Sequence, residues 1–184
     1  MSNFRFIYKD LDVSNILQQV LDNPDDWKSV STYEHTGGDK DPPGFLPMIM
    51  AVVKDGENPK NSELLAMTPL AEHYPAIFNW LKSQGITRMA RSAFFKLPVN
   101  SCVATHIDDG TYYLTKDRFH LSLQGRYLYT VGDEEHIIEP GTFFWFDNKK
   151  PHSALNVDSV DRITFVFDVP HDLDHPANSK KNFD

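Results

Sequence analysis

A mainly β fold with helices near its N-terminal end is predicted for this chain by two observations. From Ile86 onward the sequence breaks into short runs rich in Val, Ile, Phe, Tyr and Thr, and turn-forming residues separate those runs. About eight such runs in succession suggest a closed barrel or a double-sheet jelly roll. They are RMARSAFFKL, SCVATHID, DRFHLSLQG, RYLYTVG, EEHIIEP, GTFFWFD, PHSALNV and DRITFVFDV. The turns between them carry Pro98, Asp109-Gly110, Gly125, Gly132-Asp133, Pro140-Gly141, Asn148 and Asp158.

The earlier part of the chain reads differently. Residues 11–22 place Val13, Ile16, Leu17, Val20 and Leu21 at helical spacing, with Asp12 or Ser14 as candidate caps and Asn23-Pro24 as the stop. Residues 35–47 are dense in Gly and Pro and read as a loop, either a plain connector or a lid over a site. MIMAVVK then reads as a short strand. Residues 69–84 read as a helix, or as two broken at Pro75, closed by Gly85. The expected organisation is one domain over 1–184: a helical and loop support region over 1–85, a β core over 86–170, and a polar tail over 171–184.

Composition narrows the function classes. Net charge is −8, which opposes binding to phosphate backbones, so nucleic acid is not an expected partner. A single cysteine, Cys102, permits no intrachain disulfide and fits a reducing compartment. The N-terminal residues show no signal-peptide pattern, and no apolar run is long enough to span a bilayer, so a cytoplasmic protein without a membrane partner is expected. Nothing in the sequence specifies an oligomeric state.

The chemistry is concentrated in a few polar residues within the apolar runs. In His106-Ile107-Asp108, residues two apart on a strand share a face, so an imidazole and a carboxylate would point the same way. A further ligand must come from a distant strand. His152 follows a turn and opens an apolar strand, a position that suits it. Two histidines and one carboxylate on one face of a metal are the ligand set of non-haem Fe(II) oxygenases, and each residue alone has a structural reading too. Arg162 sits inside the apolar strand 162–167, where a guanidinium needs an anion. Either a structural salt bridge or a forked clamp on the distal carboxylate of 2-oxoglutarate would satisfy it. Thr164 shares its face. Arg118, His120 and Ser122 also share one face of a strand, which is either solvated or bound to an anion.

Taken in order, these residues resemble the aspartyl/asparaginyl β-hydroxylase family, and are similar also to small bacterial proline hydroxylases. The resemblance runs from Arg91 to His171 through HID (106–108), RFHLSL (118–123), PGTFFWFDNKKPHSALN (140–156) and DRITFVFDVPH (161–171). It does not extend into the first 85 residues. It implies a cupin-like double-stranded β-helix using Fe(II), 2-oxoglutarate and O2, with ascorbate as a supporting reductant. It implies that His106 and His152 bind iron, that Arg162 pairs with the 5-carboxylate of 2-oxoglutarate, and that Arg118 and His120 reach 2-oxoglutarate or the substrate. Animal members lack the carboxylate ligand that Asp108 offers, so this chain looks closer to the small-molecule members. Related halogenases replace that carboxylate with a small residue, so Asp108 points to hydroxylation.

The expected reaction is hydroxylation of an unactivated C–H of an amino acid or amino-acid residue, with release of succinate and CO2. Arg91, Arg118 and Tyr112 are the candidate substrate contacts, and Asn156 and Asp147 are candidates to orient His152 or its loop. The competing readings are a cupin-type metalloenzyme that does not use 2-oxoglutarate and a non-catalytic jelly-roll ligand-binding module.

Overall fold

A computed structural model describes residues 2–29 and 44–171. The elements are β1 (Phe4–Tyr8), α1 (Ser14–Asp22), β2 (Gly44–Ala51), β3 (Leu65–Met67), α2 (Pro75–Ser83), β4 (Ser92–Leu97), β5 (Cys102–His106), β6 (Lys116–Gln124), β7 (Tyr127–Val131), β8 (Glu134–Ile138), β9 (Phe143–Phe146), β10 (His152–Asn156) and β11 (Arg162–Pro170), with short 3-10 turns between some of them. All eight strands expected in the second half form.

Both helices form where apolar spacing placed them. In α1, Ile16 and Val20 are buried, and the Asp12 carboxylate accepts hydrogen bonds from the Ser14 amide and hydroxyl just before the first turn. The 69–84 segment breaks at Pro75, into a 3-10 turn and then α2, and Gly85 follows at φ +75°.

The strand expected at MIMAVVK forms as part of β2, but the expectation for the first 85 residues was incomplete, because they also supply β1 and β3. All three join the large sheet, ordered β1-β9-β6-β11-β4-β2-β3. The large sheet recruits these strands by pairing: Phe4 lies opposite Phe146, and Phe45 opposite Phe95. β2 begins at Gly44, so the end of the expected 35–47 loop is strand. Residues 35–43, with any role as a lid, and the tail from 172 lie outside the described residues.

The small sheet is ordered β5-β10-β7-β8. Two facing antiparallel sheets make this a double-stranded β-helix. The large sheet is covered on both faces, which answers which side of each strand is inward. Phe119, Leu121 and Leu123 of β6 and Phe165, Phe167 and Val169 of β11 join the core under α1 and α2, with Ile16, Val20, Ile77 and Leu81. The alternate residues point the other way, toward the small sheet. There Phe144 and Phe146 of β9 pack with Tyr127, Tyr129 and Val131 of β7. Arg118, His120 and Ser122, and likewise Arg162, Thr164 and Asp168, therefore lie on the face between the sheets, not on a solvated one.

Candidate metal centre

His106 ends β5 and His152 begins β10, and the two residues are directly paired across the antiparallel ladder. Their ring centroids are 4.3 Å apart. In each ring Nδ1 faces the carbonyl two residues earlier, Ala104 O for His106 and Lys150 O for His152, both at 2.9 Å. A carbonyl only accepts, so each Nδ1 carries a proton, and Nε2 is the ring nitrogen turned toward Asp108. His152 is buried, and that burial pushes its pKa down to about 4, so the ring is neutral near pH 7.

Asp108 corrects the alternation argument. β5 stops at His106, so Asp108 lies past the strand end, where its amide donates to Asn148 O at 3.1 Å. Its side chain still joins the histidines. Oδ1 is 3.9 Å from His106 Nε2, Oδ2 is 3.9 Å from His152 Nε2, and the potential donor atoms all lie within 4.8 Å of one another. Oδ2 accepts from Arg118 Nη1 and from Asn148 Nδ2, each at 2.9 Å, which leaves Oδ1 the less engaged oxygen. Burial alone would raise this carboxyl, but Arg118, His152, Asn148 and His106 together hold it below its ordinary value. Two imidazole nitrogens and one ionised carboxylate are a donor set suited to a divalent transition metal with open positions.

The cavity at this cluster extends between the sheets to Arg162 and His120, past Tyr129, Phe146 and Val166. Arg162 is buried, its Nε donates to Thr164 Oγ1 at 2.9 Å, and its guanidinium carbon lies 4.1 Å from the Tyr127 ring centroid. Among the described residues no carboxylate forms an ion pair with it; a hydroxyl and an aromatic face contact it instead. His120 is buried with Nδ1 unpartnered, and burial, then Arg162 and Arg118, push its pKa well below the usual value, so it is neutral. Ser122 Oγ and Tyr127 OH are likewise buried without partners.

Other expected contacts have different surroundings. Arg118 is already engaged: Nε and Nη2 donate to Asp168 at 2.8 and 2.9 Å, beside the bond to Asp108. Arg91 donates to Pro59 O and Ser62 O and stacks 3.8 Å over Tyr112. Tyr112 is fully buried, and its hydroxyl joins the Arg91 amide to Asp168. Neither Arg91 nor Tyr112 lines the cavity. Asn156 donates to Leu97 O, Pro98 O and Val160 O, tying strand ends together, and Asp147 caps a turn through the Lys149 amide. The Asp108 carboxylate takes its hydrogen bonds from Asn148 and from Arg118, and Arg118 is itself bound by Asp168. The sequence did carry a signal for Asp168, an acid embedded in the apolar run RITFVFDVP.

This is a cupin-like double-stranded β-helix with a metal-competent His/Asp/His cluster facing into it. The comparisons with known proteins narrow that class. The family model described as aspartyl/asparaginyl β-hydroxylase matches residues 9–172, and the chain belongs to that family. The match reaches well into the first half, beyond the motifs that carried the resemblance. No curated protein matches the chain. Among solved structures, a Burkholderia pseudomallei protein described as an oxidoreductase of the 2OG-Fe(II) oxygenase family is similar at TM-score 0.58 and 10% identity, covering 90% of this chain and 84% of that one. An RmlC-like cupin from Methanocaldococcus jannaschii matches at TM-score 0.38 and 17% identity, over 46% of this chain and 73% of that one. At these identities the likeness concerns fold alone. No helix among the described residues is long and apolar enough to cross a membrane.

Proposed function

We propose that this chain is an Fe(II)- and 2-oxoglutarate-dependent dioxygenase that hydroxylates an unactivated C–H of an amino acid or amino-acid residue, releasing succinate and CO2. One observation carries the reading: a buried arginine without a described acidic partner shares a cavity with the His/Asp/His cluster. A guanidinium sealed in a protein interior costs several kcal/mol unless an anion accompanies it. A dicarboxylate reaching from the cluster to Arg162 would provide that anion at one end and metal ligands at the other.

His106 Nε2, His152 Nε2 and Asp108 Oδ1 would hold the ion. When bound, Fe(II) supplies the O2 activation that C–H hydroxylation requires. The protein's own contribution is placement. Arg162 and Thr164 would fix the far end of the co-substrate, with neutral His120 beside it. Apolar side chains, including Phe146 and Val166, line part of the cavity and would limit water beside the bound co-substrate. The lone cysteine fits a reducing cytoplasm, which would also favour the ferrous state.

The test is succinate formation from 2-oxoglutarate with Fe(II) and ascorbate, first alone and then with free L-amino acids. Arg162→Ala is expected to raise the KM for 2-oxoglutarate about 10- to 100-fold, the loss of a charge-assisted pair. An unchanged KM would remove 2-oxoglutarate from the reading. No succinate under any condition would remove the oxygenase.

A further inference from the structure

We infer that Asp168, which does not touch the candidate ligands, is a positioning residue that works through Arg118 to hold Asp108 as a one-oxygen ligand. The inference rests on the metal-centre reading above.

Asp168 is fully buried in β11, opposite Arg118 in β6. Its two oxygens take Arg118 Nε and Nη2 in a fork, which fixes the plane of the guanidinium. The remaining arm, Nη1, then points at Asp108 Oδ2. Asn148 Nδ2 binds the same oxygen from another element. With Oδ2 occupied twice, Oδ1 is the oxygen left for the ion. A carboxylate held this way offers one donor and does not spread over two positions that co-substrate and O2 need.

Asp168 is itself anchored. Tyr112 OH donates to Oδ2 at 3.1 Å, the Asp168 amide donates to Arg91 O, and its carbonyl accepts from the Ala90 amide. Arg118 also lies 4.9 Å from the Tyr113 ring centroid. A charge pair alone would permit several geometries, whereas this arrangement leaves the guanidinium one.

The experiment is a double-mutant cycle read by anaerobic Co(II) titration, with the visible absorption of bound Co(II) as the reporter of coordination. Asp168→Asn is expected to weaken Co(II) binding about 10- to 100-fold and to change the Co(II) spectrum. On an Asp108→Ala background the same substitution is expected to change neither, because the residue it positions is gone. A loss of similar size on both backgrounds, or no loss on the first, overturns the inference and makes Asp168 merely structural. If Asp168→Asn does not fold, as judged by circular dichroism, Arg118→Lys replaces it in the cycle. Lysine keeps the charge but cannot fork, so the same two outcomes decide. Failure of the underlying reading looks different: the unsubstituted protein would bind no Co(II), or His152→Ala would bind it equally well.

Discussion

The two histidines and the aspartate of the candidate centre are held by different means. His106 and His152 face each other in a ladder, and each ring leans on a carbonyl of its own strand neighbourhood. Their placement follows from backbone register, which many hydrogen bonds share. Asp108 has no strand beneath it. It depends on Asn148, on Arg118, and through Arg118 on β11. Its loop is also fastened to the 58–62 turn: Thr111 N donates to Asn61 Oδ1, and Lys60 pairs with Asp109. One arm of the centre is thus robust to neighbouring side chains, and the other is assembled from them. Single substitutions should therefore tune the aspartate arm by degrees, while the histidine arm should respond mainly to loss of a histidine itself.

The largest expected effect tests the histidine arm. His152→Ala should reduce both Co(II) binding and succinate formation to background while circular dichroism remains that of a folded protein. Retained binding would break the comparison at its root. Next comes the loop beneath Asp108. Gly110 has φ +117°, and a Cβ there would lie 2.4 Å from Lys60 O. Gly110→Ala should cost about 1–3 kcal/mol of stability, seen in thermal melting as a loss of about 2–4 °C per kcal/mol, with weaker Co(II) binding. Asn148→Ala should weaken Co(II) about tenfold and leave melting less affected, since Arg118 still holds Oδ2. The smallest effect belongs to Lys60→Met. Its ion pair with Asp109 is exposed, so melting and Co(II) affinity should barely move. A large loss there would show that the surface of the 58–62 turn matters more than its packed backbone.

Much of the core was legible because a strand buried on both faces still writes its apolar alternation into the sequence. Phe119, Leu121 and Leu123 revealed β6, but whether the polar residues between them faced solvent or the interior was settled only by the small sheet packing against them. His106 and His152 were legible as candidate ligands, and each sits at a strand end, where a turn brings distant strands together. Asp108 was found for an incomplete reason: the strand ends before it, and a bond from its amide to Asn148 O replaces the expected pleat. β1 and β3 escaped notice because they are short edge strands, β1 stabilised by a partner far along the chain and β3 only three residues long. Arg91 and Tyr112 were expected at the substrate because both chemistries suit binding, but sequence cannot show that a cation already has carbonyls and a ring to satisfy it. Arg118 shows the same limit, since its second acid, Asp168, lies fifty residues away in the chain.

The pairing of β1 with β9 has a consequence for self-association. β9 is the segment Phe-Phe-Trp-Phe, and β1 covers its outer edge by taking its main-chain hydrogen bonds, while Phe4 and Phe6 shield Phe144. Stripped of those first residues, β9 would offer a bare aromatic seam with open amides, the kind of surface on which identical chains template one another into aggregates. A segment remote from any chemistry thereby helps keep the molecule dispersed.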